Sequence, residues 1–184
     1  MKLMFASDIH GSLAACERIL ACYAQEGADR LVLLGDLLYH GPRNDLPENY
    51  NPKGVIALLN EKKAELLCVR GNCDAEVDQM VLEFPIMADY MLLPLFTQKG
   101  ERTAFVTHGH LFNLDQLPPH KDGDLLIHGH THVLCVKEKD GVTYINPGSA
   151  ALPKENNPKS YMVYEDGVFE IKTLDGEVIL SYSL

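Results

Sequence analysis

The chain has 184 residues, 46% of them hydrophobic, with 26 acidic against 16 basic side chains and a net charge of -10 at pH 7. Such a length fits one domain, 1–184, that buries about 70% of its unfolded surface, and the acidic balance excludes a generic binder of nucleic-acid backbone, whose surface is basic. No run approaches the roughly 18 apolar residues of a membrane span, and the first residues read as a strand rather than a signal peptide, so a cytoplasmic protein with no membrane partner is expected.

In chain order, the first half alternates strand and helix. A strand over 2–7 leads to Ser12, which can cap a helix running to about residue 25, with Gly27 as a stop signal. A second strand over 30–34 is followed by a proline-rich irregular stretch, 37–51, of a length that compact domains reserve for function or mobility. Pro52 suits the first position of a helix over 53–63. Next come a strand over 65–70 and a short helix over 76–82. The pattern then changes to strands alone: 90–95, 103–107, 125–127, 133–137, 142–145, 161–164, 168–173 and 178–183. Gln98-Lys99-Gly100, Asp140-Gly141, Asp166-Gly167 and Asp175-Gly176 provide the turns. A βαβα half followed by hairpins predicts two sheets packed face to face, with helices outside the first and on one reading outside both.

Cys16, Cys22, Cys68, Cys73 and Cys135 form an odd set with no Cys-x-x-Cys pair, which fits free thiols in a reducing compartment. All but Cys73 lie on apolar faces and read as small core residues.

Polar motifs stand immediately after the apolar runs: Asp8-Ile9-His10, Gly35-Asp36, Gly71-Asn72-Cys73-Asp74, His108-Gly109-His110 and His128-Gly129-His130-Thr131-His132. Strand ends would deliver these side chains to one edge, where α/β proteins keep their chemistry. Asp8 and His10, at i and i+2, are expected on one side of an extended segment. Asp36 has two oxygens with which to bridge a pair of ions about 3.5–4 Å apart. Asn72 offers a neutral carbonyl oxygen, and His108, His130 and His132 complete seven donors, with His130 and His132 able to face different ions. Such a nitrogen and oxygen set suits Mn, Fe, Zn, Co or Ni without selecting among them. Glycines 11, 35, 71, 109 and 129 would let backbone approach the ions.

Taken together, these motifs resemble the calcineurin-like metallophosphoesterases, and more closely their short single-domain bacterial and archaeal phosphodiesterase branch. The resemblance covers essentially the whole chain. It implies an α/β (α+β) fold, a four-layered αββα sandwich of two mixed sheets, and two divalent ions, with Mn first. One ion would be held by Asp8, His10, Asp36 and His132, the other by Asp36, Asn72, His108 and His130. Two divalent ions and two carboxylates leave a site of about +2, suited to a phosphoryl group, and the nucleophile would be a hydroxide bridging the ions. The expected function is hydrolysis of a small-molecule phosphodiester. Alternatives are a phosphomonoesterase, a nuclease, or a non-catalytic scaffold like the subunit of the retromer coat; intact ligands argue against the last, and the acidic surface argues against long nucleic acid as a partner.

Asp36, Asn72, Cys73 and His110 form the catalytic set. Cys73 departs from the wider family's Gly-Asn-His and matches the short branch's Gly-Asn-Cys. A thiol is a weaker acid and a poorer donor than imidazolium, so leaving-group chemistry is expected to limit the reaction. The alternative is that Cys73 only packs beneath Asn72. His110 reads equally as a helper beside the substrate or as a group behind the ligands. Ser7 and His128 are expected to be structural, and His40 and His120 solvated. Arg43 and Asn44 read as surface residues within reach of a phosphate, and 146–149 as a turn that buttresses the His130 loop. The apolar, proline-rich segment 111–119 is the surface on which a homodimer would pack.

Overall fold

The computed structural model describes residues 1–97 and 99–184; Gln98, in the turn expected at 98–100, lies outside the described residues. The chain forms β1 (Lys2–Ala6), α1 (Leu13–Glu26), β2 (Arg30–Leu33), α2 (Pro52–Glu61), β3 (Leu66–Cys68), α3 (Glu76–Gln79), β4 (Tyr90–Thr97), β5 (Gly100–Thr107), β6 (Leu125–Ile127), β7 (Cys135–Lys139), β8 (Val142–Asn146), β9 (Ser160–Glu165), β10 (Val168–Thr173) and β11 (Val178–Ser183).

Two mixed sheets face each other, one ordered β11-β10-β9-β1-β2-β3 and the other β4-β5-β6-β8-β7. In the first, β1, β2 and β3 run parallel; in the second, β5, β6 and β8 do. Side chains alternate across a strand, so Leu3 and Phe5 of β1 enter the core between the sheets while Met4 and Ala6 face the helices. Burial on both faces is why β1 and β2 read as unbroken apolar runs. The helix α1 presents Ala15, Cys16, Ile19, Cys22 and Tyr23 inward, is capped by the Ser12 side chain on the Ala15 N–H, and ends at Gly27 with φ of 60°. Asn51 caps α2 from the Gly54 N–H, with Pro52 in the first turn, so this helix begins one residue before the expected start.

Three local expectations change. The α3 helix stops at Gln79 instead of residue 82, because the Gln79 side chain donates to the Leu82 and Phe84 carbonyls and accepts from the Ile86 N–H, turning the chain. Asp140-Gly141 and Asp166-Gly167 both carry two positive φ values, as a two-residue primed turn requires. At Asp175-Gly176 only the glycine does, and a register shift at Ile171/Lys172 accommodates the longer turn. The outer face of the second sheet, Leu126, Val142 and Tyr144, is covered by irregular chain through Leu114 and Leu117, so its outer layer is a loop and not a helix.

Cys16, Cys22 and Cys68 are buried and Cys135 is half-buried, all as free thiols. Among the described residues, no helix is long and apolar enough to cross a membrane.

Candidate metal centre

The parallel strands β1, β2, β3, β5 and β6 end along one edge, and the segments that follow them carry Asp8, Asp36, Asn72, His108 and His130. The backbone there is not extended: Asp8, His10, Asp36, His130 and His132 have φ of 58°, 50°, 56°, 64° and 60°. Non-glycine residues adopt this left-handed region at a cost of order 1 kcal/mol, and hold it only where the surroundings over-determine it. Asp8 and His10 therefore converge through two left-handed turns and not through the alternation of an extended segment.

Hydrogen bonds fix these turns. The buried Asp8 carboxylate accepts at Oδ2 from the Ser7 hydroxyl at 2.5 Å and from the His130 N–H at 3.0 Å, while Ser149 Oγ donates to the Asp8 carbonyl at 2.9 Å. Asn146 Nδ2 donates to the Gly129 carbonyl at 2.8 Å and to Thr131 Oγ1 at 3.0 Å, which steadies the His130 loop. Asp74, given no role from sequence, gathers the N–H groups of Asp36 at 2.8 Å, Leu37 at 2.9 Å and Gly71 at 2.7 Å. It thus ties the segment after β2 to the one after β3. Its signal in the sequence is its place as the last residue of Gly-Asn-Cys-Asp.

Two of the glycines also make room within the site. A Cβ on Gly129 would fall 2.7 Å from Asp8 Oδ2, and one on Gly71 would fall 2.3 Å from the Asp36 nitrogen. They make room for the ligating side chains and their backbone.

The donor atoms form two adjoining sets. Asp8 Oδ1 lies 3.1 Å from His132 Nε2 and 3.5 Å from His10 Nε2, with the two imidazole nitrogens 3.2 Å apart. His108 Nε2 lies 3.1 Å from Asn72 Oδ1 and 3.2 Å from His130 Nδ1. Between them Asp36 Oδ2 stands 3.6 Å from His10 Nε2 and 3.5 Å from His108 Nε2. Asp36 Oδ1 accepts the Cys73 N–H at 2.8 Å, so one oxygen of Asp36, rather than both, faces the two sets. His130 thus joins His108 and Asn72, and His132 joins Asp8 and His10.

These residues fit divalent ions. The Nδ1 atoms of His10, His108 and His132 meet the carbonyls of Tyr39, Leu34 and Leu152 at 2.8, 2.7 and 2.6 Å. Each must be a donor, which turns an Nε2 lone pair inward. Lone pairs facing each other at 3.2 Å repel unless a cation or a proton lies between them. Asp8 Oδ1 is buried and has no hydrogen-bond partner among the described residues. Separations of 3.1–3.6 Å are those of ligands sharing an ion about 2.1 Å away.

In the chain alone, protons substitute for that charge. Burial opposes a charged His108, yet hydrogen bonding to Asp36 and the charges of Asp8 and Asp36 raise its pKa to about 9. His10 is raised in the same way, against its burial, by Asp8. Burial also opposes the charge of Asp8, but the imidazoles of His10 and His132 beside its Oδ1 hold it well below the usual carboxylate range. His130 goes the other way: burial, then the His108 charge, lowers it to about 4.

The structure also places the remaining candidates. Cys73 is half-buried and lies with His10 and Asp36 within metal-ligating distance; burial first, then the Asp36 charge, pushes its thiol up to about 12. It lines the site beside Asn72, whose Nδ2 donates to its sulfur at 3.3 Å. His110 is half-buried with its ring 5.4 Å from that of His108 and its Nδ1 buried without a partner among the described residues. His128 is buried against Tyr144, ring centroids 4.5 Å apart, with its Nδ1 on the Gly129 carbonyl at 2.9 Å. His40, expected to be solvated, packs edge-on to Tyr39 and Tyr50, whereas His120 is exposed. A cavity of about 420 Å³ opens over the donors, and Arg43, Asn44 and Lys154 line it. Lys154 was not singled out by sequence, because nothing local marks it.

Residues 1–166 match the calcineurin-like phosphoesterase superfamily domain. The chain is 48% identical to the phosphodiesterase YfcE of Escherichia coli over 181 residues, 98% of this chain and 96% of that protein. It is 31% identical over 170 residues to YsnB of Bacillus subtilis, a probable metallophosphoesterase, covering 89% and 83% of the two chains. A solved structure of YfcE, a phosphoesterase from E. coli, superposes with a TM-score of 0.93 at 47% identity, covering 100% and 99%. The fold is shared more distantly with Vps29 of Entamoeba histolytica, at a TM-score of 0.62 and 22% identity, covering 100% of this chain and 99% of the other. The chain belongs to the calcineurin-like phosphoesterase superfamily.

Proposed function

We propose that this protein is a phosphodiesterase that works with two divalent ions, Mn best among them. Asp8, His10, Asp36 and His132 would hold one ion, and Asp36, Asn72, His108 and His130 the other. The observation that carries the reading is the set of three imidazoles locked with Nε2 inward around the orphaned Asp8 Oδ1 and the shared Asp36 Oδ2. It is joined by 48% identity to a phosphodiesterase along nearly the whole of both chains.

When bound, the ions would supply charge neutralisation of the phosphate and a hydroxide nucleophile near neutral pH. The chain's own contribution is to hold the donors without reorganisation, through backbone carbonyls behind the imidazoles and N–H groups behind the carboxylates. His110, with a free buried Nδ1 beside His108 and His130, stands where it can hydrogen-bond a bound phosphate. Cys73 offers the departing oxygen a thiol, a poorer hydrogen-bond donor than imidazolium. The five unpaired thiols fit a cytoplasmic setting.

The test is hydrolysis of bis(p-nitrophenyl) phosphate by chelated and Mn-loaded protein. Turnover is expected only with metal, and Asp36→Asn should cut it by at least about 100-fold with little loss of fold. Absence of turnover at every metal loading would leave a binding scaffold.

A further inference from the structure

Two cavities meet at His130 and Thr131. The first, about 420 Å³, contains the donor cluster and the side chains of Arg43 and Lys154. The second, also about 420 Å³, lies on the other side and is walled by His110, Val133, Tyr144 and Lys137 together with the carboxylates Asp115 and Glu155. A phosphodiester has two substituents on one phosphorus, and a phosphate at His130 would have a cavity on each side to receive them.

The cavities differ in charge. The first has two cations, and its one lining carboxylate, Asp36, is turned to the donors. The second has one cation against two carboxylates.

Pairing sharpens the contrast. Eleven of the sixteen lysines and arginines meet a carboxylate or a backbone carbonyl. Arg43 and Lys154 are among the five that meet none among the described residues. In a chain with 26 acidic residues, two such cations on one rim leave a positive potential facing the cavity. The backbone of Lys154 is fixed to the site, and the loop that carries Arg43 is closed by a bond of its own. The Lys154 N–H donates to the His132 carbonyl at 3.0 Å, the Lys154 carbonyl accepts from Asn157 Nδ2 at 2.7 Å, and Asn44 Nδ2 beside Arg43 donates to the His40 carbonyl at 2.8 Å.

We infer that the first cavity is a subsite for a second anionic group: the substrates are phosphodiesters that carry a further anion on the arm entering between Arg43 and Lys154, and an uncharged arm on the His110–Tyr144 side. The inference rests on the phosphodiesterase reading and narrows it.

The test uses Mn-loaded protein and a matched pair of probes, thymidine 5′-monophosphate and thymidine 3′,5′-bisphosphate, titrated calorimetrically. The bisphosphate should bind about tenfold tighter or better, since charge-assisted contacts at a partly exposed site are each worth about fivefold. Arg43→Ala and Lys154→Ala should each reduce that ratio by about fivefold, and the double variant should abolish it. Lys53→Ala, an unpaired exposed cation away from the cavity, should keep the ratio. Equal affinities in the unaltered protein, or equal losses for both nucleotides in the variants, would overturn the subsite. Turnover of the corresponding p-nitrophenyl 5′-esters separates the two readings. No turnover of either ester with any divalent ion overturns the phosphodiesterase reading, whereas equal efficiency on both esters overturns the subsite alone.

Discussion

The Nε2 atoms of His10 and His132 face each other at 3.2 Å, although the Nδ1 of each ring is held by a backbone carbonyl, that of Tyr39 or of Leu152. Neither ring can turn to relieve the contact, so the pair needs a positive charge between them, from a proton or from a metal.

Metal binding is therefore predicted to release protons. His108 has its pKa raised to about 9, so at pH 7.5 loading with Mn should expel about one proton per chain from it, and the raised His10 adds to the release. For a histidine raised above its unfolded pKa of about 6.5, the stabilisation is complete below that value and is lost as pH rises through about 9. The melting temperature of chelated protein should thus fall between pH 6.5 and 9.5, while Mn-loaded protein is spared. Calorimetry in buffers of different ionisation enthalpy reads the protons; heats that do not vary with buffer would contradict the account.

Acid should act through different groups, His130 and Asp8 in the site and His128 beside it. Burial lowers the pKa of His128 to about 4, so its stabilisation is present above about pH 6.5 and is lost as pH falls towards 4, to the extent of about 3 kcal/mol. In chelated protein, His128→Gln should lower stability at pH 7 and flatten the loss between pH 6.5 and 4. An unchanged acid slope in urea titrations would remove His128 as its source.

Asp74 is predicted to govern metal affinity without touching metal. Its carboxylate receives three N–H groups that position Asp36 and the Gly71 turn. Asp74→Asn puts a donor where acceptors are needed, at a cost of about 2–3 kcal/mol, and should weaken Mn binding by about 10–100-fold. Turnover at saturating Mn should suffer less. A variant with normal affinity in Mn titrations would show that the turn holds itself.

At Cys73 the expected outcome concerns the leaving group. Cys73→His should raise turnover of an alkyl phosphodiester more than that of an aryl one, because general acid catalysis, worth about 10²–10⁴-fold in full, helps the poorer leaving group most. Equal changes on both esters in steady-state assays would reduce Cys73 to a wall of the cavity.

The sequence exposes the ligands because each follows an apolar run buried on both faces, as Leu31–Leu34 precede Gly35-Asp36. What it hides is set by contacts between distant segments. Lys154 reaches the rim through the carbonyl of His132; His40 is withdrawn from solvent by Tyr39 and Tyr50; α3 is cut short by the long reach of Gln79. The left-handed turns at Asp8 and His10 are equally invisible to an alternation argument, since aspartate and histidine enter that region only where tertiary bonds hold them. The outer face of the second sheet follows the same logic: an apolar stretch, 111–117, covers Leu126 and Tyr144 without helical periodicity to announce it.

The two-ion reading stands most directly on Asp36 Oδ2, 3.6 Å from His10 Nε2 and 3.5 Å from His108 Nε2. Electron paramagnetic resonance of protein titrated with Mn tests it. At two equivalents per chain the isolated Mn(II) sextet is expected to give way to the multiline spectrum of an exchange-coupled pair, and Asp36→Asn to abolish the coupling. Saturation at one equivalent, or two ions that keep uncoupled sextets, would contradict a shared oxygen between them.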